Sequence, residues 1–399
     1  LIHVRAASCT PVPFIANDHF FGRDSGLINR SLQAIGIESV SIMAGTRHAD
    51  EPDDLIRASL DQLSSSDWWR SLQLDVVVLY AWGDPRYLSI AKAIRSSGAF
   101  LIQNLDSSGI ETPYANPHRW WRSIRDSIRG PQPLKARLRI CARAIRDLIP
   151  RIYEHSRLRM LAESDVLACV SPPARDRMSE YASALGAPDL IEKLHVIPHP
   201  VVDDMRYHPQ EKRNRVLCVG RWNEIDDHQK DPRLTLQILT RFLQNFPDWD
   251  AEVIGRGAES LTSRIKVIPE SIKPRIHFTN FLDRNLLREK YLESRILLCA
   301  SRYESFHISS AEALCCGASV VTARHPLLAS TSWFTSDNSG TLAENRSLAS
   351  FVQALATEAK TWNQGQRDPV NISAAWCHKV HGKPIATQIL HLYQDRDKR

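Results

Sequence analysis

Short apolar runs of strand length alternate with longer segments of helical period along this 399-residue chain. A strand covered on both faces by helices reads as a continuous apolar run, so this alternation points to parallel βαβ units. In the C-terminal half the runs fall at 216–219, 251–254, 275–278, 296–300 and 318–322, with helical stretches such as 234–246 between them. Five such runs in succession describe one doubly wound parallel sheet. The N-terminal half repeats the theme, with a helix at 27–35 ended by Gly36 and runs at 39–43, 76–80 and 100–105, then 166–170 after a long interruption. At about 150 residues per domain, the length favours two domains over one. The expected class is α/β, with two Rossmann-like domains: 1–199, carrying a helical insertion at about 113–163, and 200–399.

Composition narrows the class further. Hydrophobic residues make up 43% and charged residues 24%, which excludes disordered, collagenous and low-complexity chains. The longest uncharged apolar runs, at 76–79 and 296–299, are far shorter than the ~20 residues of a spanning helix. The start, Leu1-Ile-His-Val-Arg, lacks the pattern of a secretory leader, and the eight Cys show no Cys-x-x-Cys or zinc spacing. A cytoplasmic location is therefore expected.

The net charge of +6 is concentrated in one place: residues 118–160 hold twelve Lys/Arg against three Asp/Glu. Trp120 and Trp121 sit among Arg119, Arg122 and Arg125. Residues 124, 128, 134, 138, 140, 145, 148 and 149 are apolar at near-helical spacing. Such a segment suits the inner, anionic face of a membrane, the grip on an anionic acceptor, or a solvated helical face over a small core. No fingerprint of a nucleic-acid module accompanies it, so no nucleic-acid partner is expected.

The most specific segment runs from Ala300 to Thr322 and reads as strand, loop, helix, Gly cap, strand. Glu304 falls in the loop beyond a strand's carboxyl end, where open α/β sheets bind ligands, and Glu312 falls in the following helix. Between them the backbone N–H groups of Ser305, Phe306, His307 and Ile308 lead into the helix start, a natural phosphate site flanked by acceptors for hydroxyls. That combination suits a nucleotide sugar.

Ser301-Arg-Tyr-Glu304-Ser-Phe, followed by Ala-Glu312-Ala and Gly317, resembles the Glu-x7-Glu signature of retaining GT-B glycosyltransferases, family 4. The resemblance implies that Glu304 contacts the donor sugar near the reacting centre and that Glu312 holds the ribose. A second match, Gly220-Arg221-Trp222 with Lys230 after seven intervening positions, is similar to the family's phosphate clamp. Arg supplies a planar fork and Lys a point charge to a leaving diphosphate. Glu304, Arg221 and Lys230 are thus the catalytic candidates. Glu312, Ser305, Phe306, His307, Ile308, Gly220 and Gly255 are the donor-binding candidates, Gly255 as the turn after a strand.

On the acceptor side, Ser25 and Gly26 stand where the family has its N-terminal glycine loop, and 197–203 where it has an Ile-Pro-Asn-Gly-Val-Asp link. The family's N-terminal His has no counterpart in 103–109, where Asp106 is the candidate substitute. His307 stands where the family commonly has Gly. By resemblance, the two domains face across a cleft, the last helix crosses back to the first domain, and sugar moves with retention and without a metal. No cofactor is implied beyond the nucleotide-diphosphate sugar, a co-substrate, and the acceptor is a glycan or a lipid-linked molecule. Two rival readings share the architecture: an inactive scaffold and a nucleotide-sugar epimerase.

Overall fold

The computed structural model describes residues 4–107, 109–129, 134–148, 152–223, 227–265, 268–336 and 338–398. Of the features singled out in the sequence, Gly130 to Pro133, Ile149, Glu224 and Asp226 lie outside the described residues. The chain forms two compact units. One comprises most of the chain up to Asp203 together with Lys379–Arg399, and the other is built on Asp204–His378.

The first unit carries seven parallel strands: β1 (Arg5–Thr10), β2 (Glu38–Ala44), β3 (Leu55–Ala58), β4 (Val76–Tyr80), β5 (Phe100–Asn104), β6 (Val166–Cys169) and β7 (Leu194–Val196), in the order β3-β2-β1-β4-β5-β6-β7. Every residue of β4 and β5 is buried, as strands covered by helices on both faces must be. The order reverses direction between β1 and β4, which makes that junction the switch point of the sheet.

The helix Gly382–Gln394 belongs to this unit. Its Ile385, Ala386, Ile389, Leu392 and Tyr393 share a core with Ile28, Leu32, Val76, Val78 and Phe100. Burying each large apolar side chain contributes roughly 1.5–3 kcal/mol, so the C-terminal residues are integral to a core that begins at Val4. Close approach is set by Gly382: a Cβ there would lie within 2.1 Å of Ser31 Oγ.

The second unit is a six-stranded parallel sheet of β8 (Arg213–Val219), β9 (Asp250–Ile254), β10 (Ile276–Thr279), β11 (Ser294–Leu298), β12 (Ser319–Ala323) and β13 (Gly340–Ala343), ordered β10-β9-β8-β11-β12-β13. Its switch point lies between β8 and β11. Asp231 caps the helix Pro232–Asn245, whose Leu236, Leu239, Phe242 and Leu243 are buried against the sheet. Away from that end, Arg367 forms a two-pronged, fully buried ion pair with Glu358 at 2.6 and 2.7 Å. Thr341 donates to the same carboxylate at 2.5 Å, so the buried charges are satisfied.

The basic insertion forms helices Pro117–Arg129, Leu134–Leu148 and Ile152–Ala162. Trp120 turns inward and donates to Asp147, whereas Trp121 is exposed. No helix among the described residues is long and apolar enough to cross a membrane. Seven of the eight cysteines are buried thiols and Cys141 is exposed.

Candidate functional site

Two loops meet at the switch point of the second sheet. β8 runs into Gly220-Arg221-Trp222, and this connection continues to the short helix Asp227–Lys230. β11 runs into 299–307 before the helix Ile308–Cys315. Lys230 Nζ lies 2.6 Å from Glu304 Oε1, with both side chains close to fully buried. Gln229 donates to the other oxygen, Oε2, at 3.1 Å, and its backbone carbonyl accepts from Arg302 N at 2.8 Å. Burial alone would raise the Glu304 pKa. The nearby Lys230 charge, His307 and the hydrogen bonds from Lys230 and Ser301 outweigh it and hold the carboxyl below its usual range. Glu304 is therefore an anion at neutral pH.

A second layer fixes this pair. Asp231, next to Lys230, adopts a left-handed backbone with φ 47° and accepts from Arg302 at 2.8 Å and Arg346 at 3.0 Å. Arg346 also donates to the carbonyls of Ala300 and Ser301, tying the end of β11 to the start of the helix Pro232–Asn245. Neither Gln229 nor Arg346 belongs to a spacing pattern that would expose it in the sequence.

The glycines explain how closely the loops approach. At Gly220 a Cβ would sit 3.5 Å from Lys230 Cδ, so this loop packs along the lysine stem. Gly255, at φ 128°, backs onto the Gly220 carbonyl. The structure thus brings Gly220, Gly255, Lys230 and Glu304 together, and Arg221 projects exposed from the same loop. Glu312 accepts a hydrogen bond from Tyr291 at 2.8 Å, one turn into its helix.

The helix start differs in detail from the sequence expectation. His307 is the cap, at φ 72° and ψ 72°, and Ile308 is the first helical residue, so Phe306 precedes the helix. The Phe306 side chain is buried in an aromatic cluster with Trp333 and Phe334. Ser305 is exposed. His307 occupies the left-handed conformation that glycine adopts most readily. Its Nδ1 is 2.7 Å from Ser310 Oγ, and burial lowers its pKa to about 4 against the pull of Glu304. It is neutral at pH 7.

Cys299, Glu304 and His307 place their ligand atoms within 4.8 Å of one another, close enough in principle for a metal ion. The Lys230 ammonium already occupies Glu304, and burial pushes the Cys299 thiol up to about 11. A cation would have to displace the one and deprotonate the other. A cavity of about 800 Å³ lies against edge strand β10, and its lining includes Arg215 and Lys290, both paired with Glu252.

The acceptor-side candidates lie in the first unit. Ser25 is buried, its hydroxyl 2.6 Å from that of Thr10 at the end of β1. Gly26 has no room for a Cβ, which would fall 2.5 Å from Phe20 O. Asp106 follows β5 at φ 37° and accepts from Trp82 Nε1 at 3.0 Å. Its second oxygen meets His199 Nε2 at 2.7 Å, a partner 93 positions away that local sequence did not connect to it.

Residues 213–359 match the model of the family described as Glycosyl transferases group 1. No curated protein matches the chain by sequence. Among solved structures, the chain is similar to a glycosyltransferase from Rickettsia africae (13% identity, TM-score 0.62, all of both chains covered). It is also similar to sucrose-phosphate synthase from Thermosynechococcus elongatus (14% identity, TM-score 0.61, 99% of each chain). HepE of Anabaena, in complex with UDP and glucose, aligns over 98% of this chain and 99% of its own, at 11% identity and TM-score 0.58. The fold is the two-domain, Rossmann-like GT-B fold.

Proposed function

We propose that this chain is a glycosyltransferase that moves a sugar from a nucleotide-diphosphate donor to an acceptor hydroxyl with retention of configuration. The observation that carries the reading is the buried Lys230–Glu304 pair at the switch point of the second sheet, where open α/β sheets take their ligands. The match to Glycosyl transferases group 1 over that sheet and the UDP and glucose held by HepE support a nucleotide sugar as donor.

Arg221 and Lys230 bind the diphosphate: Lys230 has two further N–H donors beside the one on Glu304, and Arg221 carries a planar guanidinium fork that matches phosphate oxygens. They offset the charge that grows on the leaving phosphate, so no metal is needed for that purpose. Ser305, His307 and Ile308 present backbone N–H groups at the helix start, and Glu312 accepts from the ribose. Glu304 orients the donor sugar and stabilises positive charge at its reacting carbon. In a front-face displacement, the bond to the leaving phosphate breaks as the acceptor oxygen attacks from the same side, and a phosphate oxygen receives the acceptor's proton. Ser25, Gly26 and Asp106 serve the acceptor.

A panel of UDP-, GDP- and ADP-sugars tests the reading. At 100-fold excess over Kd one of them should stabilise the protein by about 2.7 kcal/mol, a rise of a few degrees in Tm, and Arg221→Ala should abolish the shift. A flat response to every donor, with no nucleotide released, would reject it.

The same reading brings the enzyme to a lipid-linked or membrane-borne acceptor. On the helix Leu134–Leu148, Leu134, Leu138, Cys141, Ile145 and Leu148 recur at alternating spacings of four and three and are all exposed. Lys135, Arg139, Arg143 and Arg146 line the neighbouring face, also exposed. A second copy on this face would set cation against cation, whereas anionic lipid complements it. Arg119 is not part of this surface, being held by Glu180 at 2.5 Å and near Glu111. Leu138→Glu with Ile145→Glu should weaken co-sedimentation with phosphatidylserine vesicles by about tenfold or more. Wild-type protein that stays in the supernatant would discard the membrane.

A further inference from the structure

The switch point of the first sheet holds a second cluster of titratable groups. His199 lies between Pro198 and Pro200, in a backbone that the two rings restrict, and its side chain is 2% exposed. Its Nε2 is 2.7 Å from Asp106 Oδ1, and its Nδ1 is 3.6 Å from Asp24 Oδ1. One face of the ring stacks on Tyr80, the last residue of β4, with centroids 6.1 Å apart. Asp24 begins a helix that follows β1, Tyr80 ends β4 and Asp106 follows β5, so residues at or beyond the ends of three adjacent central strands surround one imidazole.

Unlike His199, the two carboxylates reach the surface: Asp106 is 24% and Asp24 33% exposed in the side chain. Trp82, half-buried, donates to Asp106 and offers an apolar ring beside it. Carboxylates next to an indole face are suited to hydroxyls and the C–H faces of a saccharide. Backbone strain marks the same spot. Seven non-glycine residues among those described have positive φ, and Asp24, Trp82 and Asp106 are three of them, with Asp231 and His307 at the donor-side loops. Such strain persists where surrounding structure enforces it, and it clusters at functional sites.

We infer that His199 is a positioning residue: clamped between Asp24 and Asp106, it holds the two carboxylates at the mouth of the first sheet so that Asp106 can receive a saccharide hydroxyl. The inference rests on the proposed glycosyltransferase reading for the identity of the ligand, not for the clamp. Burial disfavours the imidazolium, but Asp106, through its charge and its hydrogen bond, and then Asp24 prevail over that burial and over Arg23, so the His199 pKa is raised. Tyr80, buried and beside both acids, stays neutral, its pKa pushed well up. With the folded pKa above the unfolded one, the clamp is fully formed below the ordinary imidazole value and is lost as pH rises through the raised pKa.

Imidazole NMR of the full chain, with His199→Gln to assign the resonance, measures the clamp directly. The midpoint should lie above the ordinary ~6.5, and Asp106→Asn should lower it. In nucleotide release from the donor panel with methyl glucosides and methyl galactosides as acceptors, the acceptor KM should rise through that same midpoint. His199→Gln should raise KM about tenfold at neutral pH and flatten the profile, with kcat and the donor-induced Tm shift held within about threefold and a degree of wild type. A midpoint at or below the ordinary value, or identical KM profiles for wild type and His199→Gln, would overturn the inference. Were no donor turned over by any protein, the glycosyltransferase reading and the hydroxyl role would fall together, and the imidazole midpoint would decide the clamp by itself.

Discussion

Glu304→Gln should lower sugar transfer by about three orders of magnitude in kcat while nucleotide binding survives. The amide fills the same volume and its oxygen still accepts from Lys230, while its NH2 faces the Gln229 amide in place of the second acceptor, so the loop between β11 and the helix Ile308–Cys315 keeps its path with one hydrogen bond fewer. What disappears is a fixed negative charge in a buried site, where charge acts far more strongly than in water. The substitution also leaves the Lys230 ammonium, on a side chain only 11% exposed, without its counter-ion. Breaking a buried pair from one side costs up to about 3–5 kcal/mol, so some loss of stability accompanies the loss of rate. Two readouts separate the effects. Donor-induced Tm shift reports whether the clamp of Arg221 and Lys230 still grips, and single-turnover nucleotide release reports the chemistry. A variant that retains kcat within about tenfold would remove Glu304 from the reaction.

Much of this architecture is legible in the chain because its central strands are buried on both faces. The run at 216–219 lies within β8, 251–254 within β9 and 76–80 is β4, each a stretch of apolar residues that periodicity exposes. Three of the four edge strands are a different matter. β3, β7 and β13 are three or four residues long and only partly buried, so Leu55-Ile-Arg-Ala and Gly340-Thr-Leu-Ala offer no continuous run to read. The same division applies to the sites. Glu304, Lys230 and Gly220 are visible because their spacing is set by one βαβ unit and its neighbour, and a short motif records it. His199 meets Asp106 only through the tertiary fold, and Arg346 meets Asp231 across 115 positions. No local pattern encodes either contact, and both depend on loops that converge from separate strands. The left-handed backbone at His307 is an intermediate case: the residue stands out where glycine is usual, but its burial against Ser310 and its suppressed ionisation follow from packing.

Gly255→Ala should be the most destructive small substitution in the second unit. The residue ends β9 at φ 128°, a backbone that L side chains rarely adopt, and an added Cβ would lie 1.8 Å from Gly220 O and 3.0 Å from Gly220 C. Those are backbone atoms, so no rotamer change relieves the overlap. Neither loop can yield independently. Gly220 N donates to Ile254 O at 3.0 Å, Gly255 N donates to Thr279 O at 2.9 Å, and Trp222 N donates to Arg256 O at 2.8 Å. Displacing the Gly220 carbonyl therefore disrupts a ladder that runs across three strands and carries Arg221 and the packing along Lys230 with it. The expected loss is about 3 kcal/mol or more in urea unfolding, with the donor-induced Tm shift abolished in whatever protein folds. Gly365→Ala is the control: its φ of 68° is also positive, but nothing lies within 4 Å of the new Cβ. That variant should lose only the left-handed penalty, about 1 kcal/mol, and keep its response to donors. Equal destabilisation by the two substitutions would mean that backbone conformation alone matters at Gly255 and that the close approach to Gly220 does not.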